Sequence, residues 1–181
     1  MAKVDHLRLK FIDETGVNKA MTRLYGRAER GERVTEGVPR NYGKQTSIIS
    51  AMGLGGPIAT MTIEGSVDTL VFNAYVEKVL GPTLEPGDIV VLDNLSAHRA
   101  SVIEEVVRGK RGEVIWLSPY SPDYSPIEKM WSKMKAILRK VKARSQEELD
   151  QAIVAALELV TPNDCLGWFK HCGYQVALNC N

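Results

Sequence analysis

Residues 6–16, HLRLKFIDETG, set Leu7, Leu9 and Phe11 against Arg8 and Lys10, a period of two that predicts a strand ending near Asp13. A Gly turn follows, and MTRLYGRAERGERV then reads as a further strand running into a polar, arginine-rich hairpin or loop. TSIISAMGLGGPIATMTIEG predicts two strands joined by the Gly-Gly-Pro turn, so the N-terminal third has the pattern of an antiparallel meander. After it the period changes. SVDTLVFNAYVEKVLG spaces Leu70, Val71, Ala74, Tyr75 and Leu80 for a helix, with Ser66 as its cap and Gly81 as its end. DIVVLDN is a short, wholly apolar strand of the kind buried in a parallel sheet, with Asp93 at its C-terminal tip. SAHRASVIEEVVRG follows as a helix capped by Ser96, and EVIWLS as another buried strand. The last third is helical, over about 126–143, then 146–160, then a short helix after Pro162.

A meander followed by alternating strand and helix predicts an α/β fold, a mixed sheet flanked by helices rather than a purely doubly wound one. At 181 residues this is one ordinary domain with room for a substantial core. Apolar runs such as Ile89–Leu92 are far too short to span a bilayer, and the first ten residues have no apolar signal core. These features point to a cytoplasmic protein with no membrane partner. The three cysteines, Cys165, Cys172 and Cys180, are odd in number and loosely spaced, which fits reduced thiols and no zinc pattern.

The net charge of +1 says little, but its distribution says more. Seven basic and no acidic residues lie between Lys129 and Arg144, and Arg23, Arg27, Arg30, Arg33, Arg40 and Lys44 form a looser basic region. Either region fits a solvated face or a polyanionic partner.

In open α/β sheets, ligands gather at the carboxyl ends of central strands, where Asp13 and Asp93 are expected. Each taken singly is also ordinary turn chemistry. Glu128 sits where the proline-rich SPYSPDYSP gives way to a helix, and it has two readings. In one, Ser125, Pro126 and Glu128 are N-cap, first position and N3 acid of a capping box. In the other, the helix returns over the strand ends and brings the acid to Asp13 and Asp93. The two need different side-chain directions, since a carboxylate folded back on its own cap does not reach outward. Three converging carboxylates repel one another unless divalent cations neutralise them, and oxygen-only sites suit Mg²⁺ or Mn²⁺. Two such ions are the usual apparatus for in-line displacement at phosphorus. On the predicted helix Lys135, Arg139 and Lys142 fall within about 40° of Glu128 at 3.6 residues per turn. Ile127, Met130, Trp131, Met134, Leu138 and Val141 form the core stripe. A phosphodiester held beside Glu128 could lay its backbone along those cations, or the strip is simply a solvated lysine-rich surface.

FIDETG, VVLDNLSAH and LSPYSPDYSPIEKMWSKMK together resemble the three catalytic blocks of DDE transposases of the Tc/mariner superfamily, in its bacterial insertion-sequence branch. Thirty-four residues separate Asp93 from Glu128, the spacing of that branch, and YGRAERGERV and GWFKHCGY extend the likeness over nearly the whole chain. The resemblance implies a ribonuclease H-like fold with a five-stranded mixed sheet, and Asp13, Asp93 and Glu128 as catalytic, metal-binding residues. It also places Asn94 and His98 beside the metal site or against DNA. Glu14 is expected to point away from Asp13 by strand alternation, and Trp131 to belong to the core rather than to stack on bases.

The implied domain is a single DDE catalytic domain over 1–181, with its core at about 5–143 and C-terminal helices at about 145–172. It lacks the N-terminal helix-turn-helix region that relatives carry, as in a split frame, a degraded copy or an excised domain. The implied activity is cut-and-paste transposition: metal-dependent hydrolysis at element ends, then 3′-hydroxyl strand transfer into target DNA. The implied partners are double-stranded DNA, a second copy of the chain, and a separate N-terminal DNA-binding region, with the protein nucleoid-associated when bound. A ribonuclease H-like nuclease without strand transfer, or an inactive DNA-binding remnant, are the alternatives.

Overall fold

The computed structural model describes residues 5–40, 43–93, 97–118 and 121–175, apart from the side chains of 97–100 and 122. Five strands, β1 (Leu9–Val17), β2 (Thr46–Gly53), β3 (Gly56–Glu64), β4 (Ile89–Leu92) and β5 (Glu113–Trp116), form one sheet in the order β3-β2-β1-β4-β5. The first three pair antiparallel, and β4 and β5 add in parallel beside β1. This is the mixed, five-stranded sheet expected.

Helices cover both faces. On one side α1 (Thr69–Tyr75), continued by a wider π turn over Val76–Leu80, and α2 (Ala97–Gly109) enclose Ile12, Ile49, Ala51, Val90 and Leu92. On the other, α3 (Ile127–Val141), α4 (Gln146–Glu158) and α5 (Pro162–His171) cover Leu9, Phe11, Ile48, Met52 and Val91. Alternation along β1 therefore sends Phe11 and Asp13 toward α3, and Ile12 and Glu14 toward α1. With both faces buried, every residue of β2 is buried, which is why its sequence reads as a continuous run rather than an alternation.

The third helix fixes the position of Glu128. Its stripe of Ile127, Met130, Trp131, Met134 and Leu138 is buried against β1, α4 and α5, whereas Val141, expected in the same stripe, is exposed at the end of the helix. Each buried side chain of the stripe stabilises the fold by about 1.5–3 kcal/mol. Lys133 Nζ donates to Leu159 O at 2.7 Å and to Asp164 Oδ2 at 2.6 Å, tying the middle of α3 to the junction of α4 and α5. The late GWFKHCGY block holds the approach to the helix. Phe169 and Tyr174 pack edge-on to Phe11, each at 5.3 Å between ring centroids, and Tyr174 Oη donates to Tyr124 O at 2.8 Å in the turn before α3.

Several expectations need correction. The first strand does not end near Asp13: it continues to Val17, because β2 pairs with it across Phe11–Val17. MTRLY forms no strand. The described residues between β1 and β2 run as an irregular segment in which Leu24 and Tyr25 are 65% and 88% exposed. Asp13's neighbour β2 already occupies the edge of β1 that such a strand would need. Asp68, not Ser66, caps α1, its side chain accepting from Val71 N–H at 2.9 Å. The third helix spans Ile127–Val141 rather than 126–143, closing at Lys142 in the left-handed conformation (φ 58°). Ser96 lies outside the described residues.

Candidate active site

The sheet ladder sets the site. Parallel pairing of β1 with β4 runs from Leu9↔Ile89 to Phe11↔Val91 and stops there, while β1 stays paired to β2 for six more residues. The pairing ends two residues short of Asp93, which directly follows β4, and the same register continued would set it level with Asp13. A cavity of about 70 Å³ opens where the two strands part; Asp13 and Asp93 line it together with Ile12, Ile49, Phe72 and Leu92 of the α1 face, and Glu128 is not among its lining residues. Glu14, on the opposite face of β1 from Asp13, borders the same cavity.

Glu128 enters from the first turn of α3. The capping reading is not what the fold adopts. Pro126 occupies the N-cap, no side chain bonds the helix start, and Glu128 N–H donates to Ser125 O at 3.2 Å. The contrast with two similar phrases is informative, because Ser145 with Glu148 and Thr161 with Asp164 both form complete capping boxes at α4 and α5. The Glu128 carboxylate is left exposed and unused by its own helix.

Charge links the three acids. Burial pushes the half-buried Asp13 carboxyl from 3.8 up to about 7; the Glu128 and Asp93 charges push it the same way, while hydrogen bonds from Glu14 N–H and Trp131 pull it down. Both charged groups acting on Asp13 are therefore acids, and the set carries the unbalanced negative charge that a divalent cation relieves. Among the described residues, no three His, Cys, Asp or Glu side chains are already drawn together closely enough to hold a metal. The acids are electrostatic neighbours and not a closed cage.

Trp131 is core, as expected, but it is also part of the site: its Nε1–H donates to Asp13 Oδ2 at 2.9 Å. Sequence reasoning missed this contact. The available signal was that a buried indole N–H needs an acceptor, and one turn from Glu128 the nearest acid is Asp13.

The basic strip is only partly available. Lys142 lies past the end of α3 and is ion-paired with Glu36, whereas Lys135 and Arg139 lie half-exposed with no ion pair among the described residues. Asn94 lies outside the described residues, and His98 is placed only by its backbone, in the first turn of α2. Cys165 and Cys172 are buried free thiols, and Cys180 lies outside the described residues. Among the described residues no helix is long and apolar enough to cross a membrane.

A sequence profile of the family described as DDE superfamily endonuclease matches residues 8–150. No curated protein sequence matches the chain. Among solved structures, a pre-cleavage Mos1 transpososome superposes with a TM-score of 0.74 at 16% identity, covering 94% of this chain and 54% of that one. A Mos1 mariner paired-end complex with Mn gives 0.71 at 16% identity, over 92% of this chain and 53% of that one. The catalytic domain of Mos1 mariner transposase gives 0.67 at 16% identity, over 93% and 79%. The chain thus spans about half the length of the first of these proteins, and its fold is the ribonuclease H-like fold of the Mos1 catalytic domain.

Proposed function

The chain belongs to the DDE superfamily of endonucleases, and from that premise we propose that it is the catalytic domain of a cut-and-paste DNA transposase of the bacterial insertion-sequence branch. The observation that carries the reading is the meeting of Asp13 and Asp93 at the parted strand ends, with the uncapped Glu128 brought electrostatically against them by α3.

Asp13, Asp93 and Glu128 would hold Mg²⁺ or Mn²⁺, two ions in the working complex. The donor set fits: three carboxylates, all oxygen ligands, with the Asp13 carboxyl raised first by burial and then by the Glu128 and Asp93 charges. Mos1 paired-end complexes, which share the fold, are described with Mn and with Mg. When bound, the ions supply the Lewis acidity that displacement at phosphorus needs.

The residues of the chain do the rest by placement. The two aspartates fix the depth of the site on a rigid sheet, and α3 brings the third acid over it. Lys135 and Arg139, on the Glu128 side of α3, hold the flanking phosphates of double-stranded DNA, with Lys142 joining if it leaves Glu36. In the first transfer water attacks a phosphodiester at the element end, leaving a 3′-hydroxyl and a 5′-phosphate. In the second that hydroxyl attacks a target phosphodiester, joining to its 5′ side as the target's P–O3′ bond breaks and a target 3′-hydroxyl leaves. Neither step needs a covalent bond to the protein, so orientation and charge carry the rate. A second copy of the chain and a DNA-binding region, supplied by a further N-terminal segment or a separate chain, complete the active complex. Asn94 and His98 are assigned to contacts beside the metals or with DNA, in the nucleoid.

The test compares wild-type protein with Glu128→Gln on supercoiled DNA in Mn²⁺, and on an element end with the DNA-binding region supplied. Nicking and joining should depend on metal and be lost in the variant. Equal activity of the two proteins refutes the assignment of Glu128, and nicking without any joined product reassigns the chain as a nuclease.

A further inference from the structure

Trp131 is 2% exposed, so its indole N–H has left water and must find a partner within the protein. The partner is not a neighbouring carbonyl or hydroxyl but Asp13 Oδ2, 118 residues away in the chain. One bond therefore joins the core of α3 to the first acid of the site. Glu128 lies three residues before Trp131 on the same helix, about 4.5 Å along its axis. A single turn thus delivers the third acid and a donor to the first acid, and a rigid helix fixes the spacing between them. The Asp13 carboxylate also accepts from Glu14 N–H, and the indole on Oδ2 fixes which way the group is turned.

We infer that Trp131 is a positioning residue for Asp13: its indole N–H locks the rotation of the Asp13 carboxylate and sets its separation from Glu128, so that Asp13 meets a divalent cation in one fixed orientation. The inference rests on the reading of Asp13, Asp93 and Glu128 as a divalent-cation site. The plain alternative is that Asp13 merely satisfies a buried indole, and it makes a different prediction. Trp131→Phe keeps an aromatic ring in the pocket but removes the N–H together with the five-membered ring, so a purely structural role would lower the melting temperature and leave metal affinity unchanged. Outer partners that orient a metal ligand typically contribute ten- to a hundredfold in affinity, roughly.

The experiment is Mn²⁺ binding to the full chain, followed by the loss of the free-ion electron paramagnetic resonance signal, with circular dichroism and thermal melting as checks on folding. Wild type should bind, and a folded Trp131→Phe should bind at least about tenfold more weakly. A folded variant with Mn²⁺ affinity within twofold of wild type overturns the positioning role while leaving the cation site intact. Wild type that binds no Mn²⁺ overturns the cation site and the positioning role together. Should Trp131→Phe fail to fold, the wild type itself answers through its ¹⁵N-indole spectrum, with peaks assigned by Trp116→Phe and Trp168→Phe. The Trp131 indole resonance should shift on addition of Mg²⁺, and a stationary resonance under saturating Mg²⁺ overturns the inference.

Discussion

Asp13→Asn should make the metal-free protein more stable, because the native fold holds the Asp13 charge at a cost. Burial, reinforced by the Glu128 and Asp93 charges, raises the carboxyl from 3.8 to about 7. The sign follows from proton counting. Below 3.8 the group is protonated in folded and unfolded chains alike, and the substitution is close to neutral. Between 3.8 and about 7 only the folded chain keeps the proton, so wild-type stability falls as pH rises, and above about 7 the loss is complete. At about 1.4 kcal/mol per tenfold change in proton affinity, the ceiling is about 4 kcal/mol. Water reaching a half-buried side chain at the mouth of a cavity roughly halves this, leaving about 2 kcal/mol, or about 5 °C in melting temperature for a chain of this size. Asparagine keeps an oxygen for the Trp131 indole, so the hydrogen bond survives the exchange. The assay is thermal denaturation by circular dichroism from pH 4 to 8, without metal and with Mg²⁺. The variant should melt higher at pH 8, the gap should close toward pH 4, and Mg²⁺ should raise wild type alone. A variant that melts at or below wild type at pH 8, or a gain that persists undiminished at pH 4, refutes the reasoning.

Two further substitutions probe surfaces away from the carboxylates. Lys135→Ala and Arg139→Ala should each lower the slope of log affinity against log salt for double-stranded DNA by about 0.9. Lys142→Ala should lower it less, because Glu36 already engages that cation; fluorescence anisotropy across a salt series reads all three, and unchanged slopes for the first two remove the strip from the DNA path. Asp164 is held down to about 2, first by Lys133 and then by Thr161. Its contribution is complete above 3.8 and is lost as pH falls through about 2. Asp164→Ala should therefore cost about 1 kcal/mol at pH 7, as the loss of a cap with an added ion pair. The difference in melting temperature should shrink between pH 4 and 2, and one that stays constant over that range contradicts the assignment.

What the chain disclosed in advance follows the strength of its periodicities. The apolar runs of β2 and β4 and most of the wheel of α3 need no tertiary information, because burial on both faces or along one stripe writes itself directly into residue type, whereas β5, expected to be buried, is a half-exposed edge strand. The far half of β1 does not, since Glu14, Thr15 and Gly16 show no alternation and become strand only through β2. Ser66 and Asp68 are equally good caps on paper, and packing of the turn chose the second. Ser125-x-x-Glu128 and Ser145-x-x-Glu148 likewise look alike, yet only the second closes a box; the first follows a tight 3₁₀ turn at Pro122–Tyr124 that places Pro126 at the cap. Asp93 was recognisable as a strand-end acid, but Asp13 lies inside β1, and its alignment with Asp93 needs the register of two strands 80 residues apart. The Trp131 bond to Asp13 was hidden for the same reason.

That long reach in sequence also orders events in time. Two acids are present once β4 has formed against β1, but the third, and the bond that ties it to the first, come only with a helix that begins at Ile127. Contacts across 118 residues close late, after the local meander and its hairpin have condensed. On the ribosome, a chain still lacking α3 would carry all five strands but only two of the three acids. On the proposed reading, the cation site is assembled only after the sheet that carries its first two acids.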